Sequence, residues 1–372
     1  MQKETKIKIV KAVSFSAITG AILTSLALLV FTPLPKEATA YGCFYTEKEN
    51  SLDLVLVGNS TSREDFIPAE AWHRYGITSH CIGSNPSHLE VIKIAIDEIA
   101  RTQNPKLVII DVNGLTFQNQ ESAPTYVKAY IKAMPDGDAK NALIEKYPYV
   151  TESSGFELFK NHNEWRDQYW WETKIFGSYS YNKGYNPQGT KYAITPITVD
   201  PDRIDAEWLD IDPGLATNPD KTPHTPRDYL VEILETAKKY PDIDFIFGEM
   251  PRWLSDQTER EKLILNRYYE LRACQSVVES YGFEWIDFCD HISEIGVDPQ
   301  TDQRDGDHLN HRGAKLFTKY LGKMVADRYN ITKDTHTDSD VVKDFNEAYE
   351  DYVKNVDKKL TKKLNIPDSY NK

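Results

Sequence analysis

The chain has 372 residues, of which 40% are apolar and 27% charged, and its formal net charge is −13. This length and composition suit one large domain with appended segments, or two smaller domains. The acidic balance and the lack of a basic stripe argue against a nucleic-acid-binding protein. Four cysteines without a C-x-x-C spacing are typical neither of a disulfide scaffold nor of a zinc knuckle at this length.

Residues 1–35 predict a membrane anchor. A lysine-rich start precedes the stretch Ala12 to Pro35, which has no charged residue, and about 20 apolar residues let a helix cross a bilayer. The lysines before this stretch, against Lys36 directly after it, predict a single-pass protein with its globular part outside the cytoplasm. The alternative is secretion after signal cleavage, because Ala38-Thr39-Ala40 resembles a cleavage site.

Residues 36–50 are predicted to form a linker, and residues 51–330 a domain in which short apolar strands alternate with helices. Strands are predicted near 53–57, 77–82, 107–110, 243–247 and 283–287, and helices near 68–75, 87–102, 257–281 and 311–329. Unbroken apolar runs indicate strands that are buried on both faces of a parallel sheet. The repeated strand–helix–strand pattern therefore predicts an α/β fold with a doubly wound, mostly parallel five-stranded sheet.

Residues 115–225 form a large insertion between the third and fourth strands. So long an excursion usually is functional or a subdomain, and it leaves the sheet at the carboxyl edge, where ligands bind. Its second half is rich in aromatic residues, which either pack a small core or stack on sugar rings. The candidates for substrate contact are Trp165, Trp170, Trp171 and Tyr185.

Residues 331–372 form a charged C-terminal extension. Its apolar residues, among them Val341, Phe345 and Tyr352, have the spacing of an amphipathic helix. The exposed part of such a helix either faces solvent or binds a partner.

The triplet Gly58-Asn59-Ser60 follows the first predicted strand directly. A serine at the carboxyl end of that strand lies at the ligand crevice, where it can act as a nucleophile. The alternative is that Ser60 caps the helix that follows. Ser62 replaces the second glycine of a G-x-S-x-G nucleophile elbow, which argues against an α/β-hydrolase.

A second candidate motif, Asp305-x-x-His308, follows the fifth predicted strand. Side chains three residues apart can face the same way, so Asp305 can orient the imidazole while His308 takes the proton of Ser60. The alternative is a cation-binding loop that includes Asp302 and Asp307, but the spacing is not that of an EF-hand. We therefore expect neither a metal nor another cofactor.

These two motifs together resemble the SGNH/GDSL hydrolase superfamily. The resemblance rests on Val57 to Ser60 and on Asp305 to Asn310 with Gly313-Ala314, and the order of strands fits over residues 52–328 outside the insertion. It implies a flavodoxin-like SGNH fold in which Ser60 is the nucleophile, His308 the base and Asp305 the partner of the base. The family has Asp at the position of Asn59.

The resemblance also implies an oxyanion hole. In the family the hole uses the serine amide, a glycine amide after the second strand and an asparagine side chain after the third. Gly83 and Asn113 match the latter two positions, and Asn85 is a rival for the role. The family's G-x-N-D signature is not reproduced around Asn113.

The combination of anchor, domain and insertion resembles membrane-anchored cell-envelope members of the superfamily. These are related to teichoic-acid D-alanyl-transfer proteins and to polysaccharide O-acetyltransferase or esterase partners. The resemblance implies a serine esterase or O-acyltransferase that acts through an acyl-enzyme on an acylated envelope glycan or glycopolymer, with a membrane acyltransferase as a candidate partner. The alternative is an inert module that binds a glycan or a partner, which predicts that Ser60 and His308 do not converge in space.

Overall fold

The computed structural model describes residues 2–31, 41–83, 89–116, 123–150, 182–211 and 225–371. Five parallel strands form one sheet in the order β2-β1-β3-β4-β5. The strands are β1 Leu54–Gly58, β2 Ser79–Gly83, β3 Leu107–Asp111, β4 Asp244–Glu249 and β5 Glu284–Asp287. The prediction of an α/β fold with a five-stranded parallel sheet is thereby confirmed, and this strand order is one of the two common orders of doubly wound sheets.

Helices surround the sheet, precede it and follow it. The described residues form α1 Gln2–Phe31, α2 Ser60–Glu64, α3 Pro68–Tyr75, α4 Leu89–Thr102, α5 Ala123–Ala133, α6 Asp138–Lys146, α7 Pro226–Ala237, α8 Glu259–Arg272, α9 Cys274–Ser280, α10 Ile292–Ile295, α11 His311–Tyr329, α12 Ser339–Tyr352 and α13 Lys358–Leu364. The helix predicted over residues 257–281 is divided into α8 and α9. Ala273 lies between them, and its N–H bonds the Glu270 carbonyl at 3.2 Å, as in a 3-10 turn.

Alternate residues of the central strands enter two separate hydrophobic cores. Val55 and Val57 of β1 pack with residues of α4 and α7 on one face, whereas Leu54 and Leu56 pack with Phe317 of α11 on the other. All five residues of β1 are buried. Burial on both faces explains why this strand is an unbroken apolar run rather than an alternating one.

The N-terminal helix α1 contains a segment, Ile7–Ser25, with a mean hydropathy of 1.5 and none of it buried. Its length and composition are sufficient for it to cross a membrane. A signal sequence has the same properties, so the anchored and the cleaved alternatives both remain predictions.

Residues 41–50 are not the linker that the sequence predicts. The side chains of Tyr41 and Phe44 are buried, at 0% and 1% exposure, and both belong to the core that α4 and α7 help to form. The aromatic residues of this segment therefore fasten it to the domain.

The C-terminal extension also packs on the domain. Val341, Phe345 and Tyr352 of α12 are buried, and the ring of Phe345 lies 5.5 Å from that of Trp72 in α3. The apolar face of the predicted amphipathic helix is thus covered by the chain's own helix α3.

Candidate active site

Ser60 lies in a tight turn at the carboxyl end of β1, where α2 begins. Asn59 caps α2, because its side chain accepts from the Thr61 N–H at 3.0 Å; the interpretation of Ser60 as the cap is therefore wrong. A Cβ at Gly58 would lie 2.6 Å from Asp111 Cβ, so the turn needs glycine at this position for close approach to β3.

His308 and Asp305 complete a chain of hydrogen bonds with Ser60. Ser60 Oγ lies 2.7 Å from His308 Nε2, although the two residues are 248 positions apart, and His308 Nδ1 lies 2.9 Å from Asp305 Oδ1. We call these residues the Ser60 triad. Ser60 is 9% and His308 6% exposed, so both side chains lie just below the surface.

The state of Asp305 determines which imidazole nitrogen carries the proton. Burial opposes ionisation, but the hydrogen bond and charge of His308, the Asp307 N–H and the Arg304 guanidinium hold the pKa of Asp305 well below its usual range. An ionised carboxylate only accepts hydrogen bonds. The proton of neutral His308 therefore lies on Nδ1, and Nε2 is free to accept the hydroxyl proton of Ser60.

Residues 302–310, which we call the 302–310 loop, hold this pair in place. Asn310, which the sequence analysis did not single out, is fully buried; its Nδ2 donates to the carbonyls of Thr301 (2.8 Å) and Gln303 (3.1 Å). Its Oδ1 accepts from the Arg312 N–H at 2.9 Å and caps α11. An asparagine directly before a predicted helix is a capping signal and could have identified this residue.

The C-terminal extension supports the first turn of α11 directly after this loop. His311 Nε2 lies 3.1 Å from Asp357 Oδ1, and Lys315 Nζ donates to the same oxygen at 2.8 Å. Arg312 donates to the Asn365 carbonyl at 3.0 Å, and burial lowers the pKa of His311. The loop therefore continues into a helix whose start is fastened by residues near the end of the chain.

The predicted oxyanion residues lie at the same edge of the sheet as Ser60. Gly83 ends β2 and pairs with Gly58 in the sheet, and a Cβ at Gly83 would lie 2.5 Å from the Asn59 carbonyl. Asn113 lies in the 3-10 turn after β3, is 2% exposed, and donates its N–H to Asp111 Oδ1 at 3.0 Å. Asn85 lies outside the described residues.

Asp111 is a buried carboxyl that the sequence analysis did not assign to the site. It ends β3, is 0% exposed, and accepts hydrogen bonds from the hydroxyl groups of Thr61 and Ser62. Burial raises the pKa of Asp111 despite these donors. This residue links β3 to α2 and so helps to set the position of Ser60; a polar residue at the end of an apolar strand was its signal.

A buried, hydrogen-bonded pair at the end of β4, Glu249 and Arg252, contacts the 302–310 loop. Arg252 Nη2 donates to Glu249 Oε2 at 2.5 Å, and Arg252 Nε lies 3.6 Å from Asp307 Oδ1. Burial raises the pKa of Glu249 to about 8, although Arg252 opposes this shift. Glu249 and Arg252 are only three positions apart, but neither belongs to a recognised motif, and the contact of Arg252 with Asp307 joins segments that are distant along the chain.

The structure corrects one of the predicted sugar-stacking residues. Tyr185 is 3% exposed, and its hydroxyl lies 2.8 Å from His311 Nδ1. A side chain buried in this way presents no face to a sugar ring, so the prediction of substrate contact is wrong for Tyr185. Trp165, Trp170 and Trp171 lie outside the described residues.

Asp302, which the sequence analysis considered for a cation-binding loop, pairs with the side chain of Arg312. Its Oδ1 accepts from Arg312 Nε at 2.7 Å, and its Oδ2 accepts from the Tyr370 hydroxyl at 2.9 Å. In the part of the chain that the structure describes, no group of three or more His, Cys, Asp and Glu residues is arranged to hold a metal ion.

Comparison with known proteins gives little further information. No family model matches the chain. A segment is similar to botulinum neurotoxin type C of Clostridium botulinum C phage, with 34% identity over 108 residues. That match covers 28% of this chain and spans 7% of the neurotoxin's length. It therefore carries no argument about activity.

Proposed function

We propose that this protein is a serine esterase or O-acyltransferase that works through an acyl-enzyme on Ser60. The observation that carries the proposal is the Ser60 triad, with 2.7 Å between Ser60 Oγ and His308 Nε2 and 2.9 Å between His308 Nδ1 and Asp305 Oδ1. These distances lie within hydrogen-bond reach, as a nucleophile, its base and the orienting carboxylate require. The inert-module alternative predicts instead that Ser60 and His308 do not converge.

In the first half-reaction Ser60 attacks an ester. As Oγ bonds to the carbonyl carbon, His308 Nε2 takes the hydroxyl proton, and the carbonyl oxygen becomes an oxyanion. Backbone amides at the turn, with Gly83 and Asn113 as the proposed further donors, stabilise that charge. The carbon–oxygen bond to the leaving alcohol then breaks, and His308 returns the proton to the alcohol. Asp305 stays ionised and stabilises the imidazolium.

In the second half-reaction an acceptor hydroxyl attacks the acyl-enzyme. His308 takes its proton, the bond between the acyl carbon and Ser60 Oγ breaks, and the proton goes to Oγ. Water as acceptor gives hydrolysis, and a sugar hydroxyl gives transfer. Both outcomes use the same residues, so the proposal includes both.

We propose an acylated cell-envelope glycan or glycopolymer as the substrate and a site of action outside the cytoplasm. The resemblance to envelope members of the SGNH/GDSL superfamily supports the substrate class, and the apolar helix Ile7–Ser25 supports attachment to a membrane. The lysines near the start of α1, Lys3, Lys6, Lys8 and Lys11, favour an inside N-terminus. A membrane acyltransferase is the proposed partner that would supply or receive the acyl group.

The decisive experiment is covalent labelling of the full-length protein in detergent with a fluorophosphonate probe, followed by intact mass and peptide mapping. We expect one adduct on Ser60 in the wild type and none in Ser60→Ala or His308→Ala, because an unactivated serine does not react. The matched control is Ser280→Ala, which removes a hydroxyl of α9 that donates to the Val277 carbonyl of the same helix and should leave labelling intact. A folded wild type without any adduct would favour the inert binding module.

A further inference from the structure

Arg304 precedes Asp305 in the 302–310 loop and lies between two carboxylates. Its Nη1 donates to Glu64 Oε2 at 2.6 Å, and its Nε and Nη2 lie 3.1 Å and 3.0 Å from Asp305 Oδ2. Its side chain is 23% exposed. The guanidinium of Arg304 thus joins acidic groups from two parts of the fold. Its planar arrangement of N–H donors suits it to bind two carboxylates at once.

Glu64 gives this guanidinium a rigid support on the helix of the nucleophile. It is the last residue of α2, which Ser60 begins, and its side chain is 1% exposed. Its second oxygen, Oε1, accepts from the amides of Asn186 (2.9 Å) and Gln188 (3.1 Å). A buried carboxylate is costly unless it is paired and hydrogen bonded, so these contacts hold Glu64 in one orientation.

Arg304 and His308 use different oxygens of Asp305. Oδ1 faces His308 Nδ1 and Oδ2 faces the guanidinium. A carboxylate that is held at both oxygens does not rotate freely, so the oxygen that orients the imidazole stays in place. The Arg304 N–H also donates to the His308 carbonyl at 2.9 Å, which closes the loop around the pair.

We propose that Arg304 is a positioning residue that couples the helix of the nucleophile to the carboxylate that orients the base. This inference rests on the proposed function of Ser60 and adds a requirement beyond the Ser60 triad. Glu64 and Arg304 are 240 positions apart, and their ion pair joins directly the two segments that bring Ser60 and His308 together. Arg304 acts through Asp305 and Glu64, not on the reacting atoms.

A pH profile can separate positioning from a simple charge effect, because several charged groups surround the loop. They include Asp302, Asp305 and Asp307 within the loop, Glu64 at the end of α2, Asp65 directly after it, Arg252 after β4, Arg260 and Glu261 from α8, and Arg304 itself. Loss of a cation from this set favours the protonated imidazole, and loss of an anion disfavours it. Only the neutral imidazole accepts the serine proton.

The test measures the rate of Ser60 labelling by the fluorophosphonate as a function of pH in the full-length protein. We expect Arg304→Gln to lower the rate about 10²-fold, as for a misplaced catalytic group, and to move the acid limb of the profile to higher pH. Arg304→Lys keeps the positive charge but removes the planar set of N–H donors that contacts both carboxylates. It should lower the rate and leave the acid limb in place.

Glu64→Gln breaks the other end of the bridge. We expect it to lower the rate as well, but to move the acid limb to lower pH or leave it unchanged, because an anion is lost. The matched control is Arg260→Gln. Arg260 lies 3.8 Å from the same Asp305 oxygen but is 67% exposed, and loss of such a surface pair should change the rate less than about fivefold.

The outcomes separate this inference from the proposed function. A wild type without an adduct on Ser60 contradicts the function, and the inference with it. The inference alone is overturned by a different pair of results. In that case the wild type is labelled on Ser60, and Arg304→Gln is labelled equally fast, with the acid limb of its pH profile at the wild-type position. Circular dichroism identifies a variant that does not fold. If Arg304→Gln does not fold, the other two variants decide. Ser60 labelling at the wild-type rate in both Arg304→Lys and Glu64→Gln would then overturn the inference.

Discussion

A second group of residues in this molecule has the same chemical order as the Ser60 triad. Cys43 Sγ lies 3.5 Å from His80 Nε2, and His80 Nδ1 lies 2.9 Å from Glu47 Oε1; we call these three residues the Cys43 cluster. Both sets join a nucleophilic group, an imidazole and a carboxylate, which is the order found in nucleophilic catalysis. Their surroundings differ, and this contrast shows what a reactive site needs besides hydrogen-bond order.

The two sets differ in position and in charge. The Ser60 triad lies at the carboxyl edge of the sheet, where ligands bind, whereas His80 lies inside β2 and is 0% exposed. Glu47 also accepts from Lys183 Nζ at 2.8 Å. Burial lowers the pKa of His80, but contacts with Cys43 and Glu47 outweigh it and raise the pKa to about 9. His80 is thus a cation at neutral pH and cannot act as a base there.

The largest expected effect comes from replacing each histidine by glutamine. His308→Gln should lower the rate of Ser60 labelling about 10⁵ to 10⁶-fold, because the base is lost. His80→Gln should instead destabilise the fold by about 3–5 kcal/mol, because it breaks a buried ion pair. Labelling kinetics and urea unfolding measure the two effects. A His80→Gln protein that remains folded but is not labelled on Ser60 would contradict the claim that only the Ser60 triad is needed for the reaction.

Replacing the carboxylate of each set, Asp305 or Glu47, should have a smaller effect than replacing its histidine. Asp305→Asn should lower the labelling rate about 10⁴-fold, because an amide no longer fixes the imidazole tautomer. Glu47→Gln should leave the labelling rate of folded protein near the wild-type value and lower its thermal midpoint, because His80 loses its anion and Lys183 keeps only Asp344. Equal losses of labelling in both variants would show that the Cys43 cluster also supports the site.

The pH dependence of stability should report the charge on His80. A histidine whose pKa is raised by folding stabilises the folded state fully below its unfolded pKa of about 6.5. That contribution is lost as the pH rises through the folded pKa of about 9. We therefore expect the free energy of unfolding to fall by a few kcal/mol across this window, as measured by urea titration. The fall should be absent from His80→Gln, and an equal fall in that variant would contradict the assignment.

The smallest expected effect concerns the thiol. Cys43 is 6% exposed, so iodoacetamide should alkylate it far more slowly in the folded protein than in urea. Cys43→Ala should cost about 1 kcal/mol of stability, the typical value of one lost hydrogen bond, and leave Ser60 labelling unchanged. Rapid alkylation of Cys43 in the folded protein would show that the Cys43 cluster is a second reactive site, and it would contradict the difference in reactivity between the two sets.

Features with a local signal were predictable from the sequence. The strand before Ser60 is an unbroken apolar run, and α11 was predicted to begin at His311 and to end near Tyr329, where the structure has it. The spacing of Asp305 and His308 is short enough for a turn to bring them together. In each case the residues that interact are close along the chain or share one strand or helix.

Contacts between distant segments were not predictable. Nothing near Arg304 or Glu64 in the sequence indicates their ion pair, because the partners are 240 positions apart. Tyr185 is one of many aromatic residues in the predicted insertion, and only packing against α11 decides that it is buried. The sequence of residues 36–50 predicts a linker, because the burial of Tyr41 and Phe44 depends on a core that other segments build.

The support of α11 by the C-terminal extension has a consequence for protein synthesis. Chains are made from the N-terminus, and early segments begin to fold first, so Ser60 exists long before its partners. Its base follows 248 positions later, and the contacts of Arg312 with Asn365 and Tyr370 form later still. A nascent or prematurely terminated chain would therefore carry a serine that is not yet activated.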